Sequence, residues 1–481
     1  MKIAVLLGGI SYDSQKRTIN GILDKAILDK VNVYIFTCDG WKYEIPSKYE
    51  KGEYNVYKLP DFINYDGVIL NTDTIHEPDI VQEITDRIVE AGIPCVDFNI
   101  KNPYFMHVEM ENRNGIKEIV DHLIKQHSAA NIFFISGPED SLDSMLRLQA
   151  YKDAMTANQV EWSEEQVYYG DYSYEGGRRA VRKFLDEASV KPDAIVTAND
   201  EMAVGAILAL KEAGYRVPED VMVTGYDDSD IATYSYPRLT TVRRGEYEAG
   251  QIAYNQIVAA IRGEETEEYT VIPGHAMFSE SCGCVDWRDT DASQMRDNYM
   301  KQHVKACRDM EIIKNSSVDF TKLVKMSDLF ENLERYIRDI GIEFFYLCIC
   351  DSLDHYDREL ERIVNGGGYL RDTSAYSDEI WVPFAYERGE VNNYGSFPKS
   401  MLLPEECEMK RAGAFYIIMP IHFQDYCFGY CVAGDYRPAF EGRFYQNFIL
   451  NLDNAMETIR KQDAMKAMLQ GLNNKMSEHF K

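Results

Sequence analysis

The sequence predicts an α/β protein in which residues 1–284 form two lobes, each built on a doubly wound parallel sheet. Short apolar runs alternate there with amphipathic stretches of helical periodicity, and such strand–helix–strand units pair their strands in parallel. The units are too numerous for one small sheet, which is why we expect two lobes. After residue 284 the pattern changes, and we expect a helical linker followed by an α+β domain that ends in a helix.

The composition is that of a globular protein with several domains and a strong negative charge. The chain has 481 residues, 45% of them hydrophobic, which predicts about two to four domains with sizeable cores. A formal net charge of −28 argues against a chain built to coat nucleic acid. The apolar run after Met1 and Lys2 is too short for a signal peptide, and no run approaches the roughly 20 residues of a membrane span. We therefore expect a cytoplasmic protein with no membrane partner.

Seven apolar runs in the first part of the chain are predicted as strands. Each is short and bounded by turn-forming or polar residues. Helices are predicted between them, including 115–126 and 202–214, where apolar residues recur at helical spacing and Gly214 is suited to end the second helix. The predicted strands are IAVLL (3–7), VNVYIF (31–36), GVIL (67–70), PCVDF (94–98), NIFFISG (131–137), DAIVTA (193–198) and VMVTGYD (221–227).

Polar side chains follow several of these strands at the point where each strand ends. Ligands of open parallel sheets bind beyond the carboxyl ends of the strands, so these side chains are candidate contacts. The alternative for a single Asp or Asn is a helix N-cap, and Asp200 fits that alternative well. Asp227 followed by Asp228 fits it poorly, because one cap needs one side chain.

Three stretches resemble a known family. Residues 192–242 contain AND, an A-x-G helix, V-P-E-D, a G-Y-D-D strand end and P-x-L-T-T. Residues 133–155 contain a strand, a GP loop and an R-L-x-x-Y helix, and VEMENRNG at 108–115 is similar to D-N-x-x-G with Glu111 in place of the usual Asp. In this order the motifs closely resemble the effector-binding part of LacI/GalR-type regulators.

The resemblance covers about residues 1–284 and implies a type I periplasmic-binding-protein-like fold. Such a fold has two lobes, a cleft between them and three crossover strands, which we place near 103–108, 236–241 and 271–279.

The resemblance also implies a set of ligand contacts. Arg147 matches the arginine that reaches ligand hydroxyls, and Asn199 and Asp227 match polar contacts. Asp97 matches an acid on the other lobe, and Tyr172 lies where the family often places an aromatic ring against a sugar. Planar donors, carboxylate acceptors and a flat apolar face suit a sugar or polyol.

Three residues of the N-terminal region are further candidates. Tyr12 and Asp13 follow the first strand, and their alternative role is the turn that begins a helix. Trp41 is a weaker candidate, whose alternative role is to anchor a surface loop.

The sequence departs from repressors of this family at its start. Repressors carry a helix-turn-helix and a hinge helix before the first strand, whereas here Met1 lies two residues from that strand. Together with the acidic composition, this leads us not to expect direct DNA binding.

We also expect no enzymatic activity, cofactor or metal. The G-x-S-x-G, HExxH and Walker motifs are absent. Cys282-Gly283-Cys284 and Cys348-Ile349-Cys350 lack CxxC spacing, so reduced thiols are favoured, with a site built from SCGC left open.

The second half predicts a helical connector at 285–340, an α+β domain at 341–455 and a C-terminal helix at 456–481. Strands are predicted within 342–351, 379–390, 413–423 and 426–434, the last two as a hairpin that turns near Gln424 and Asp425. This pattern resembles a GAF-type domain. In bacterial signalling chains a helix after such a domain often leads into a GGDEF diguanylate cyclase, which these residues do not contain.

These observations favour a ligand-responsive signalling protein. In this hypothesis a sugar-like solute binds in the cleft, and the change is transmitted to the C-terminal helices across a homodimer interface, towards a downstream partner or output domain. The alternatives are a LacI-type transcriptional regulator and the sensory half of a diguanylate cyclase. A solute-binding transport protein would require export.

Overall fold

A computed structural model describes residues 1–39, 51–75, 77–99, 101–285, 292–350, 373–407 and 412–479. The chain folds into two compact units. The first unit contains Met1–Val108, Gly250–Tyr269 and Lys305–Lys481, and the second contains Glu109–Ala249 and Thr270–Val304.

Strands and helices alternate through the first part of the chain, as the sequence predicts. In chain order they are β1 (Lys2–Gly8), α1 (Asp13–Leu28), β2 (Asn32–Cys38), β3 (Gly67–Leu70), α2 (Pro78–Ala91), β4 (Cys95–Phe98), β5 (Met106–Met110), α3 (Asn114–His127), β6 (Ile132–Ser136), α4 (Leu142–Ala157), β7 (Val167–Tyr169), α5 (Tyr174–Glu187), β8 (Ala194–Thr197), α6 (Asp200–Glu212), β9 (Met222–Thr224), α7 (Asp230–Tyr234), β10 (Thr241–Arg243), α8 (Glu246–Ile261), β11 (Tyr269–Ile272) and β12 (His275–Met277).

The later part contains two connector helices, a group of mostly antiparallel strands and a long terminal helix. These elements are α9 (Ala292–Phe320), α10 (Met326–Ile340), β13 (Phe344–Ile349), β14 (Glu379–Glu387), β15 (Glu390–Asn392), β16 (Gly395–Pro398), β17 (Phe415–Phe423), β18 (Tyr426–Gly434) and α11 (Phe444–His479). The predicted hairpin is confirmed, because β17 and β18 pair antiparallel around Gln424, whose φ is 56°.

The first unit contains a mixed sheet of twelve described strands. Their order is β11-β5-β4-β3-β1-β2-β17-β18-β13-β14-β15, with β16 paired to β14. Pairing is parallel from β5 through β4, β3, β1 and β2 to β17, and antiparallel from β17 onwards. Strands from the two halves of the sequence therefore belong to one sheet.

The junction of that sheet lies between β2 and β17. Phe415 to Ile418 pair with Val33 to Phe36 in register. The rings of Tyr34 and Tyr416 stack with centroids 4.8 Å apart, and both residues are buried. Such aromatic pairs contribute about 0.5–1.5 kcal/mol beyond the burial of their area.

The second unit is built on a parallel sheet of order β7-β6-β8-β9. The predicted strands β6 and β8 are fully buried apolar segments, which explains why their sequence reads as an uninterrupted apolar run. Strand β7 is not predicted, because it is three residues long and exposes Tyr169. A small antiparallel pair, β10 with β12, lies close to the predicted crossover positions.

The connector helices pack on the C-terminal helix within the first unit. α10 buries Leu329, Leu333, Tyr336 and Ile337 along one face, as its amphipathic sequence predicts. The ring of Phe448 on α11 lies 6.2 Å from the rings of Phe320 and Tyr336. Among the described residues, no helix is both long and apolar enough to span a membrane.

Candidate functional site

The central side chain of the candidate site is Arg147 in the second unit. It lies on α4, which Ser141 caps by accepting a hydrogen bond from Ser144 N. The Arg147 side chain is only 3% exposed. Its Nε and Nη2 donate to Asn112 Oδ1 at 3.1 and 2.9 Å, and its Nη1 donates to the carbonyl of Ala198 at 2.6 Å. These bonds fix the orientation of the planar guanidinium.

Two carboxylates alternate with two guanidiniums around this position. Arg147 Nη2 and Arg244 Nη2 lie 3.1 and 3.2 Å from Asp143 Oδ2, and Asp227 Oδ1 lies 3.7 Å from Arg147 and 3.9 Å from Arg244. Burial alone would raise the pKa of Asp143, but the charges of Arg244 and Arg147 hold it below its usual value. The side chains of Asp143 and Asp227 are 26% and 32% exposed, so solvent reaches the acids more readily than the arginines.

The two adjacent acids after β9 have different partners. Asp227 and Asp228 have φ values of 106° and 48°, a region that residues with a side chain seldom occupy. The Asp228 carboxylate accepts a bond from Arg243 Nε at 2.7 Å, whereas the Asp227 carboxylate faces Arg147 and Arg244. The turn after β9 therefore directs neighbouring like charges to separate cations.

Two tyrosines contribute aromatic surface beside Arg147. The Arg147 guanidinium lies 3.9 Å from the ring centre of Tyr226, a cation–π contact beneath the arginine. Tyr226 is fully buried. Tyr172, with a φ of 62°, is partly buried and shares a hydrogen bond of 2.9 Å between its hydroxyl and Ser141 Oγ.

Asn199 and Asp200 stabilise the loops of the site. Asn199 Oδ1 accepts a bond from Met202 N at the start of α6, and its Nδ2 donates to the carbonyl of Tyr172 at 2.8 Å. The Asp200 carboxylate accepts bonds from Ser229 N, Ser229 Oγ and Thr241 Oγ1. Burial and the charge of Asp227 raise the pKa of Asp200 to about 8.

Asp97, in the first unit, lies at the end of β4 and is 1% exposed. Its carboxylate accepts bonds from Thr72 N at 3.1 Å, Thr72 Oγ1 at 2.6 Å and Phe98 N at 2.8 Å. Burial raises its pKa to about 7 in spite of these donors. The hydrogen bonds connect the ends of β3 and β4.

Tyr12 and Asp13 also lie in the first unit, at the start of α1. The Tyr12 hydroxyl accepts a hydrogen bond from Arg443, whose guanidinium is 5.2 Å from the centre of the Tyr12 ring. Asp13 is the acidic residue of the first helical turn. Trp41 is outside the described residues.

The structure thus brings four predicted contacts together in the second unit: Arg147, Asn199, Asp227 and Tyr172. Asp97, Tyr12 and Asp13 belong to the first unit. A role in ligand binding stays a prediction for all seven.

Three charged or polar residues of the network were not identified from the sequence. Arg244 is recognisable only as part of a basic pair, and Asn112 lies in the ENRNG stretch, in which Glu111 is the position that matches the family's Asp. Asp143 precedes Arg147 by four positions on α4, and this spacing of opposite charges on a helix is a signal that could have revealed it.

Comparisons with known proteins agree with this fold. The parallel sheet of the second unit, with polar residues beyond its strand ends, is that of a periplasmic-binding-protein-like domain, and the profile of that domain matches residues 120–282. The catabolite control protein A of Priestia megaterium is 32% identical over 289 residues, which cover 58% of this chain and 81% of that protein. The chain therefore belongs to the LacI family of regulators.

A second curated regulator and a solved structure are also similar to part of this chain. The HTH-type transcriptional regulator CelR of Thermobifida fusca is 35% identical over 221 residues, or 45% of this chain. The match spans 63% of CelR's own length. A solved LacI-family regulatory protein from Chloroflexus aggregans is 25% identical, covers 59% of this chain and 98% of its own, and has a TM-score of 0.49. The named relatives are regulators, which is consistent with the expectation that this protein is not an enzyme.

Proposed function

We propose that this protein is a regulator of transcription that responds to a small hydroxylated ligand, a sugar or polyol. The single observation that carries the proposal is the Arg147 network, in which a buried guanidinium is held in place beside the partly exposed carboxylate of Asp227. CelR is named a transcriptional regulator, and a relative from Escherichia coli is named a ribose operon repressor.

The chemistry of this network suits neighbouring hydroxyl groups. A sugar hydroxyl both donates and accepts hydrogen bonds, so it can donate to the Asp227 carboxylate and accept from Arg147. Charge-assisted bonds of this kind contribute about 1.5–3 kcal/mol each. The partly buried ring of Tyr172 supplies a flat apolar surface, which suits the face of a pyranose ring.

The residues of the first unit enter the proposal with different roles. Tyr12 and Asp13 are candidate contacts after β1, with weaker support because Tyr12 already pairs with Arg443. We assign Asp97 to the loop connection between β3 and β4, where its oxygens accept three hydrogen bonds. Cytoplasmic location and a homodimeric state belong to the same proposal, and light scattering of the purified chain tests the second.

The names of the relatives count against the sequence-based expectation that the protein does not bind DNA directly. CelR is named an HTH-type regulator, and the proposed role requires an effect on a promoter. A mobility-shift assay with DNA fragments enriched on the protein from a genomic pool, at modest salt, tests this directly. Ligand-dependent retardation supports the proposal, and no retardation of any fragment at micromolar protein contradicts DNA binding by this chain.

A second candidate, output through the C-terminal helices, is favoured by contacts inside the first unit. Arg437, just before α11, donates to Asn20 and Asp24 on α1 at 3.0 and 2.6 Å, and Arg443 donates to Tyr12. The first helix is thus tied to the segment that leads into the last helix. If this candidate is right, ligand binding changes the rate of amide hydrogen exchange in α11. We expect Arg443→Ala to reduce this change, and to leave the affinity for the ligand within about twofold of the wild-type value.

A further inference from the structure

A cluster of two histidines and two cysteines lies in the second unit, apart from the Arg147 network. The side chains are His122, His127, Cys282 and Cys284, and their ligand atoms all lie within 4.8 Å of one another. His122 Nε2 is 3.0 Å from Cys284 Sγ and 3.1 Å from His127 Nε2, and His127 Nε2 is 3.3 Å from Cys284 Sγ. Four soft or borderline donor atoms therefore converge on one point.

The local sequence explains how these side chains meet. His122 and His127 lie in the C-terminal half of α3, and His127 is its last residue. Cys282 ends a short 3₁₀ turn, Glu280–Cys282, and Cys284 follows it. Gly283, between them, has a φ of 82°, which reverses the chain. A residue with a side chain would be strained in this backbone conformation at position 283. Because the chain reverses here, the sulfur atoms of both cysteines lie beside the same two imidazole rings.

We propose that this cluster is a zinc site with Cys₂His₂ ligands. Two thiolates and two imidazoles form one of the ligand sets of tetrahedral structural zinc. At bond lengths of about 2.05 Å for Zn–N and 2.3 Å for Zn–S, the tetrahedron has ligand–ligand edges of about 3.3–3.8 Å. The separations of 3.0–3.3 Å among His122, His127 and Cys284 need only a small expansion to accept the ion.

Neighbouring residues hold two of the four side chains in a fixed orientation. Thr240 Oγ1 donates to Cys282 Sγ at 3.0 Å, a bond that a zinc thiolate keeps. The Phe278 ring stacks on the His122 ring with centroids 3.8 Å apart and fixes its plane. A Cys282–Cys284 disulfide is the competing use of the two thiols, but it leaves the convergence of both imidazoles unexplained.

The site would connect the end of α3 to the segment that precedes α9. Cys284 is close in sequence to the start of α9 at Ala292, so zinc would restrain the chain shortly before that helix. From the sequence alone, reduced thiols are favoured here, and a metal site that includes the SCGC cysteines stays possible. The two histidines of α3 are the further ligands, which the spacing of the cysteines does not reveal.

Metal analysis of the tag-free full chain, purified under reducing conditions without chelator, tests the proposal. We expect about one zinc per chain, and a fall to background in Cys284→Ser and in His122→Gln. The matched control is Cys307→Ser, an exposed cysteine on α9 outside the cluster, which we expect to retain full zinc. Circular dichroism checks that each variant is folded.

Cobalt substitution of the unmodified chain gives a second readout that does not depend on variants. Thiolate-to-cobalt charge transfer and intense visible bands are expected for a tetrahedral site with two sulfurs. Absence of these bands together with absence of zinc after anaerobic reconstitution overturns the proposal. Zinc that remains at full stoichiometry in folded Cys284→Ser also overturns it, as does a Cys282–Cys284 disulfide in metal-free protein from a reducing cytosol.

Discussion

At the scale of single residues, the buried Arg147 and the more exposed Asp227 have different roles in the proposed site. Arg147 uses most of its donors on Asn112, Ala198 and Asp143, so its orientation is set before any ligand arrives. Preorganisation of this kind reduces the entropy lost on binding. Asp227 has an exposed fraction through which a ligand hydroxyl can reach it.

We predict that Asp227→Asn weakens binding of the cognate sugar by roughly ten- to a hundredfold. The change removes a charged acceptor worth about 1.5–3 kcal/mol while keeping the shape of the side chain. Isothermal titration calorimetry measures the loss. The matched control is Asp228→Asn, because the neighbouring carboxylate is bonded to Arg243, and we expect its affinity to stay within about twofold. Equal losses in the two variants would refute the assignment of Asp227.

Removal of Arg147 should cost stability as well as affinity. Arg147→Ala removes both arginine donors to Asn112 Oδ1 and one of the two guanidiniums beside Asp143. We expect the free energy of unfolding to fall by about 2–3 kcal/mol, discounted because the acids are partly exposed. Urea denaturation measures this. The control Lys152→Ala removes a cation from the same helix whose partner, Glu164, is largely exposed, and should change stability by less than about 1 kcal/mol. A neutral result for Arg147→Ala would show that the network is not structural.

Single residues also show which features of the site could not be predicted from the sequence. Strand ends and the family resemblance together select Arg147, Asn199, Asp227 and Tyr172, which do meet in one unit. They do not reveal that the Asn199 amide is committed to α6 and to Tyr172, or that Asp97 accepts bonds from the neighbouring loop. Residue type predicts what a side chain can bond to, but competition from nearby backbone donors is decided by the fold.

At the scale of elements, the apolar runs predict most strands but not all of their partners. The buried strands β6 and β8 are evident because parallel strands are apolar on both faces. Strand β7 escapes prediction because it is short and half exposed. The parallel pairing of β2 with β17 is not predictable from either segment, since strands separated this widely in sequence carry no local signal of their register.

A buried ion pair on β17 makes the stability of the first unit depend on pH. His422 Nε2 lies 3.3 Å from Glu53 Oε1, and its Nδ1 lies 3.1 Å from the Gln424 carbonyl. Burial alone lowers the pKa of His422, but the bond to Glu53 and its charge raise it to about 9. The folded state therefore holds a proton that the unfolded chain releases near pH 6.5.

We predict that this contribution is complete below pH 6.5 and is lost as the pH rises to about 9. The expected loss is on the order of 3 kcal/mol, measured as a fall in the free energy of unfolding by urea denaturation across this range. His422→Gln should remove this part of the pH dependence and leave a smaller fall due to Asp97 and Asp200, whose pKa values of about 7 and 8 lie in the same range. His275→Gln, whose side chain is 66% exposed, should leave it unchanged. A wild-type curve that is flat or rises between pH 6.5 and 9 would contradict the assignment.

At the scale of the whole molecule, the mixed sheet makes the two halves of the sequence interdependent. The motifs suggest a boundary at residue 284, but β17 covers the edge of β2 and Tyr416 stacks on Tyr34. An uncovered β2 would expose unpaired backbone groups, which favour aggregation.

We therefore predict that a fragment of residues 1–284 melts at a lower temperature than the full chain and self-associates. The control is a chain that ends at residue 461, because it keeps the buried Ile459 and the strand that covers the edge of β2. We expect it to be monodisperse and to have the same oligomeric state as the full chain. Differential scanning calorimetry and light scattering compare the three proteins. A 1–284 fragment that is monodisperse and as stable as the full chain would show that the first part folds alone.

The proposed ligand site is tested most directly by thermal shift of the full chain against a panel of monosaccharides, disaccharides and polyols. A ligand at a hundred times its Kd stabilises the folded state by about 2.7 kcal/mol. We predict that at least one sugar raises the melting temperature of the wild-type protein and that Arg147→Lys, which keeps the charge but loses the planar fork, largely removes the shift. If no compound in the panel raises the melting temperature, or if Arg147→Lys responds as the wild type does, the Arg147 network is not a sugar site.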